Sequence, residues 1–216
     1  MKRNLLAFDL GASNGRAILG QFDGEKITMT ELHRFENNYI EMNGVYYWDT
    51  PYLYNQLKTG LLKFVQGGYG DLDSFGIDTW GVDYGLLDKN GQLAGLPRSY
   101  RLGNQDDIDA VKAVIPEHEL YARSGIDTTL TFNTLYQLYR RKREGDPALE
   151  VADTMLLTPD LLGYFLTGAK GTEYTIATTT QLYNPTTKDW DWETIDQLGL
   201  PRKIFTKIDP TGTIRG

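Results

Sequence analysis

The sequence contains no cysteine and only two histidines, His33 and His118. The first absence excludes disulfides, thiolate nucleophiles and cysteine-rich zinc sites, and it fits a reducing compartment. The second leaves little basis for a histidine-rich metal centre or a Ser-His-Asp triad. Long apolar runs are missing as well. Leu5, Leu6, Ala7 and Phe8 follow Lys2 and Arg3, but Asp9 ends that run well short of a signal sequence or a membrane helix. The chain is therefore expected to be cytoplasmic. Positive charge is in deficit, with 22 Lys and Arg against 29 Asp and Glu and a net charge of −7. A surface that negative repels phosphate backbones, which counts against nucleic acid as a partner.

What remains is enough for a core. Forty per cent of the 216 residues are hydrophobic, so a folded globular protein is expected, of a length that suits one large domain. Leu5–Leu10 is short and apolar, as a buried strand is. A second strand-like run covers Arg16–Phe22, and an alternating run passes through Ile27, Met29 and Leu32. Asn14-Gly15 and Asp23-Gly24 read as the turns between them, because Asn, Asp and Gly tolerate positive φ. Three consecutive antiparallel strands are the simplest arrangement.

A helix is predicted next, with Thr50 as N-cap and Pro51 in the first turn. Leu53, Leu57, Leu61, Phe64 and Val65 form its apolar face, and Gly67-Gly68 its stop. Strands are predicted over Ser74–Thr79 and Tyr84–Leu87, the latter closed by a turn at Lys89-Asn90-Gly91. From about Asp106 the pattern becomes helical, with Asn133–Arg143 and Pro159–Leu166 the clearest segments. Strands, helix, strands and then mostly helices indicate an α/β fold with a helical elaboration. No repeat or linker marks an internal boundary.

Two segments carry candidate chemistry. Asp9-Leu10-Gly11-Ala12-Ser13-Asn14-Gly15-Arg16 has neither the lysine nor the glycine spacing of a nucleotide-binding strand-to-helix loop. Its small residues would still let backbone N–H groups approach a phosphate, with Ser13, Asn14 and Arg16 as further donors. Asp9 could hold a hydrated magnesium ion. A plain hairpin capped by an aspartate explains the same residues. The second segment is Gly76-Ile77-Asp78-Thr79-Trp80-Gly81-Val82-Asp83-Tyr84. Carboxylates, a hydroxyl, aromatic rings and a glycine suit polyol binding. A structural turn with Trp80 in the core is the alternative.

The motifs DLGASNGR, GIDTWGVDY, RSGI, FNTLYQL and EYTIATTTQLYN, in that order, resemble the FGGY family of carbohydrate kinases, and within it the rhamnulokinase branch. The resemblance implies an actin-like ATPase, ribonuclease H-like fold, with a mixed sheet opening on three antiparallel strands. It implies ATP phosphate contacts at Ala12, Ser13, Asn14, Gly15 and Arg16, with Asp9 near Mg²⁺ through water. It implies a sugar contact at Gly81, with its neighbours Trp80 and Asp83 lining the sugar cleft. The implied reaction is transfer of the ATP γ-phosphate to the C1 hydroxyl of L-rhamnulose, in L-rhamnose breakdown.

On this reading residues 1–216 are the N-terminal, sugar-binding domain. The catalytic aspartate and the adenine site are expected beyond Gly216, in a C-terminal domain, and the isolated chain is expected to be inactive. Leu102, after Tyr100-Arg101, departs from the aspartate usual at that place in the branch. The alternatives are a sister kinase acting on L-fuculose or a pentulose, or a non-catalytic sugar- or nucleotide-binding module.

Three further segments are read without assigned chemistry. Arg140-Arg141-Lys142-Arg143 is expected to be a solvent-facing helix end whose charge complements the helix dipole. Thr178-Thr179-Thr180-Gln181 either lines a site or satisfies nearby backbone. Trp190 and Trp192 are expected to lie in a surface stretch with one or both rings tucked inward.

Overall fold

The computed structural model describes residues 2–216. The chain falls into two compact units, a division that nothing in its composition marks: residues 1–40 with 48–80, and residues 41–47 with 81–216.

The first unit is built on a four-stranded sheet in the order β3-β2-β1-β6. Its strands are β1 (Arg3–Leu10), β2 (Asn14–Phe22), β3 (Ile27–Glu36) and β6 (Ser74–Thr79). The first three pair antiparallel in sequence order, as expected, and β6 joins β1 in parallel. Leu6, Phe8, Leu10, Ala17 and Leu19 alternate onto one buried face. Helix α1 (Thr50–Gln66) supplies buried Leu53, Leu57 and Phe64. Gly60 permits close packing, since a β-carbon there would lie 2.7 Å from Ala17 Cβ and 2.8 Å from the Phe8 ring.

Two details of the helix differ from expectation. Asp49, not Thr50, is the N-cap, its carboxylate accepting the Tyr52 amide at 3.0 Å. Val65 is 71% exposed, because the buried positions 53, 57, 60 and 64 follow the 3.6-residue period past it.

The strands β4 (Tyr39–Met42) and β5 (Val45–Trp48) pair as a hairpin whose tip belongs with the second unit. Its turn, Asn43-Gly44, has φ of 53° and 74°, the left-handed pair that a two-residue hairpin requires.

The second unit is mostly helical. A two-stranded sheet of β7 (Tyr84–Leu87) and antiparallel β8 (Thr154–Leu157) runs through its core. Around it lie α2 (Gln105–Lys112), α3 (Glu117–Ser124), α4 (Thr134–Arg143), α5 (Pro147–Val151) and α6 (Thr158–Thr167). Both strands are buried at every position. The remaining elements are short: β9 (Thr172–Glu173), α7 (Tyr174–Ala177), β10 (Tyr183–Asn184), β11 (Asp189–Trp190), α8 (Trp192–Gln197) and β12 (Ile208–Asp209). Trp190 is buried and donates its indole N–H to the Thr206 carbonyl at 2.7 Å, while half-buried Trp192 donates to Asp189 at 3.0 Å.

The basic end of α4 corrects an expectation. Arg141 is buried and pairs with Asp146 at 2.7 Å. Arg140 pairs with buried Asp107 at 2.8 Å and donates to the Leu102 carbonyl. Lys142 donates to the Leu198 carbonyl at 2.5 Å. These cations fasten neighbouring segments to α4, and among the four only Arg143 has no hydrogen-bond or ion-pair partner among the described residues.

In α6, buried Asp160 accepts Arg215 at 2.6 Å and the Glu173 amide at 3.1 Å. Burial pushes its carboxyl up to about 6, outweighing the pull of the Arg215 guanidinium.

Candidate functional site

In the first unit, β1 and β2 are joined by a tight turn at residues 11–13, closed by the Gly11 amide donating to the Asn14 carbonyl at 2.8 Å. Asn14-Gly15 is not the turn. Both residues belong to β2, with Gly15 opposite Leu10, and neither has positive φ. Glycine is needed at 15 for a different reason: the Phe35 ring fills the space a β-carbon would take.

Asn37, which nothing in the sequence marked, organises the turn. It is buried, its side-chain amide donates to the Gly11 carbonyl at 2.8 Å, and its backbone amide donates to the Ser13 carbonyl at 3.0 Å. With those carbonyls engaged, the amides of Ala12 and Ser13 donate to no acceptor among the described residues. Two adjacent free amides, beside carbonyls that are already engaged, form an arrangement an anion can use.

Beside the turn, four charged residues stand in register across the sheet. Asp78 of β6 lies opposite Asp9 of β1, Asp9 opposite Arg16 of β2, and Arg16 opposite Arg34 of β3. Arg16 donates to one Asp9 oxygen through Nη2 at 2.6 Å and Nε at 3.2 Å. Each side chain of that pair is 39% exposed, so the pair adds little to stability. Arg34 is held by Glu31 and reaches the Asn14 side chain at 3.4 Å. Like charges directly opposite one another on a sheet are unfavourable, so Asp9 beside Asp78 is a place where a cation lowers the energy. Among the described residues no group of three or more His, Cys, Asp or Glu side chains could cage a metal. The donor set fits a hydrated ion that takes one or two carboxylates and draws its other ligands from water and phosphate.

Trp80 ends the first unit. Its ring packs on buried Trp48 with centroids 4.1 Å apart, and it is half-buried. The second unit resumes at Gly81, against which the Thr179 side chain sits. A β-carbon at 81 would lie 3.0 Å from Thr179 Cγ2. Asp83 is 1% exposed, and its carboxylate accepts Gln137 Nε2 at 3.1 Å. Its carbonyl accepts both the amide and the hydroxyl of Thr158, at 3.0 and 3.1 Å. Asp83 is thus fixed inside the unit. The hydroxyls of Thr178, Thr179 and Thr180 each donate to the carbonyl three residues earlier, at 2.6, 2.8 and 2.7 Å, so they satisfy backbone.

Residues 4–216 match the FGGY family of carbohydrate kinases, N-terminal domain. The chain belongs to that family. It is 43% identical over 212 residues to a rhamnulokinase from Mannheimia succiniciproducens, covering 97% of this chain and 44% of the relative. A rhamnulokinase from Oceanobacillus iheyensis is 40% identical over 217 residues, covering 100% of this chain and 46% of that protein. The chain thus spans about half the length of the curated relatives it matches.

Among solved structures, a gluconate kinase from Lactobacillus acidophilus superposes with a TM-score of 0.84 at 15% identity, covering 100% of this chain and 44% of that one. At that identity the likeness shows the fold, which is the actin-like ATPase fold of the FGGY kinases. No helix among the described residues is long and apolar enough to cross a membrane.

Leu102 of this FGGY chain lies in a short 3-10 turn, Tyr100–Leu102, whose last carbonyl accepts Arg140 at 2.6 Å. The following Gly103 passes so close to the Thr131 carbonyl that a β-carbon there would collide with it.

Proposed function

We propose that this chain is the part of an ATP-dependent rhamnulokinase that binds sugar and the nucleotide phosphates, acting with Mg²⁺ on L-rhamnulose to give L-rhamnulose 1-phosphate. The observation that carries the reading is 43% identity to a rhamnulokinase across nearly the whole chain. The site residues are assigned as the motifs imply. Ala12, Ser13, Asn14, Gly15 and Arg16 take the phosphates, Asp9 takes the metal through water, and Gly81 contacts the sugar with Trp80 and Asp83 as chain neighbours.

The turn's chemistry supports the assignment. Phosphoryl transfer is catalysed mainly by alignment and by neutralising charge on the transferred group. The free amides of Ala12 and Ser13 are fixed donors that need not reorganise when phosphate arrives. Bound magnesium would neutralise charge on the phosphate oxygens. Arg16, already in place through Asp9, adds a guanidinium beside the same turn. Half-buried Trp80 presents an aromatic surface of the kind polyols pack on, and buried Asp83 fixes the backbone that follows Gly81. The catalytic base and the adenine site are assigned to the part of the relatives' length that this chain does not span.

The test is calorimetric titration of the chain with L-rhamnulose, L-fuculose and D-xylulose. Selective binding of L-rhamnulose is expected, even at millimolar strength. Preference for either other ketose would reassign the substrate, and no binding of any of them would remove the sugar site at Gly81.

A further inference from the structure

Val82 has φ of +66°, in the left-handed region that a β-branched residue almost never enters. Its neighbours close around it: the Asp83 amide donates to the Gly81 carbonyl at 2.9 Å. A hydrogen bond spanning two residues about a central residue of positive φ is a γ-turn of the rare, strained kind. Such strain persists only where surrounding groups over-determine it.

Here they do. The Val82 amide donates to Thr179 Oγ1 at 3.1 Å. The Val82 carbonyl accepts Thr134 Oγ1 at 2.7 Å and Gln137 Nε2 at 3.2 Å. Thr134 and Gln137 come from the first turn of α4, and Thr179 from a short 3-10 turn, Thr178–Thr180. Both polar groups of Val82 are therefore consumed by side chains. Thr179 is itself fixed, since its hydroxyl donates onward to the Ile176 carbonyl at 2.8 Å. It also bounds Gly81 directly, with Cβ, Cγ2 and Oγ1 all 3.0–3.1 Å from where a β-carbon on Gly81 would be.

We infer that Thr179 is a positioning residue for sugar recognition, holding the strained Gly81–Val82–Asp83 turn through the Val82 amide and setting where the Gly81 backbone stands. The inference rests on the proposed sugar contact at Gly81. A chain without this clamp relaxes Val82 toward negative φ, rotating the peptide between Gly81 and Val82 and moving the Gly81 backbone away from the hydroxyl it recognises.

The test compares Thr179→Val, which keeps the shape and removes the hydroxyl, with Thr179→Ser, which keeps the hydroxyl. Three quantities are read on the full chain: exchange of the Val82 amide proton by NMR, affinity for L-rhamnulose by calorimetry, and melting temperature. In Thr179→Val the Val82 amide is expected to exchange at least about tenfold faster and sugar affinity to fall about tenfold, with the melting temperature little changed. Thr179→Ser is expected to restore both. Unchanged sugar affinity in Thr179→Val, or failure of the serine to rescue, overturns the inference while leaving the sugar site standing. A wild-type chain that binds none of the three ketoses removes the sugar site and the inference together.

Should Thr179→Val fail to fold, Gly81→Ala serves instead. Its new methyl is expected to press on Thr179 and weaken sugar binding, and adding Thr179→Ser, which removes Cγ2, is expected to recover part of the loss. No recovery in the double variant overturns the inference.

Discussion

The Phe35 ring stands where a β-carbon on Gly15 would be, so strand β3 dictates which residue β2 can carry beside the turn at residues 11–13. Gly15→Ala must push the ring aside within a packed face. A loss of about 1–3 kcal/mol is expected, the usual cost of forcing an added carbon into a filled space. Urea unfolding of the two proteins measures it, and equal stability would mean the ring moves freely.

Asp9 and Arg16 make a half-exposed pair, which sets stability and binding apart. Asp9→Asn is expected to change unfolding free energy by less than about 1 kcal/mol. Magnesium-dependent affinity for ATP is expected to fall about tenfold, since the neutral amide is a poor partner for the hydrated ion. Titration with ATP in the presence and absence of magnesium checks this, and the difference from wild type is expected to be larger when magnesium is present.

Arg141 and Arg143 are two residues apart on α4 and inhabit different surroundings. Arg141 is buried against Asp146, and Arg143 is exposed. Arg141→Ala leaves a buried carboxylate with a weakened set of partners, and a loss of about 3–5 kcal/mol is expected. Arg143→Ala is expected within about 0.5 kcal/mol of wild type. Thermal or urea denaturation of both variants separates the two environments.

Asp160 gives a pH signature. Its carboxyl titrates at about 6 in the folded chain, against an ordinary 3.8, with burial the leading cause. The folded state therefore holds a proton that the unfolded state has released, and this favours folding below about pH 6. The contribution is lost as pH rises through the folded value, amounting to about 1 kcal/mol between pH 5 and pH 7. Asp160→Asn does not titrate, so its stability is expected to change less over that interval than wild type. Denaturant midpoints at the two pH values decide the matter.

Much of the first unit was legible in the sequence because its signals are local. Alternation through Leu6, Phe8 and Leu10 defines a one-sided strand, and α1 is readable from its period and its Gly67 stop. Apart from the helix's N-cap and the exposure of Val65, what differs depends on contacts distant in sequence. The same Asn-Gly dipeptide is a left-handed hairpin turn at Asn43-Gly44 and an ordinary strand start at Asn14-Gly15, where Phe35 fixes the choice. Arg140–Lys142 read as solvent-facing because the carbonyls and carboxylates that receive them come from other segments. Of the candidate site, the motifs carrying Asp9 and Gly81 were visible. Asn37 and the shape of Val82 were not, since neither an Asn in a polar stretch nor a Val between Gly and Asp advertises the hydrogen bonds that give it a role.

The charged row of Asp78, Asp9, Arg16 and Arg34 has a polarity that its near-zero sum conceals. Two anions occupy one side and two cations the other, and although Glu31 offsets Arg34 at the far edge, the end of the sheet keeps an electric dipole lying across the strands. At about 4.8 Å per strand it extends over roughly 14 Å, a length comparable with a triphosphate and its metal. A magnesium nucleotide is likewise a cation joined to a polyanion. If the nucleotide binds at this turn as proposed, the field of the row would favour one orientation of that ligand over the reverse.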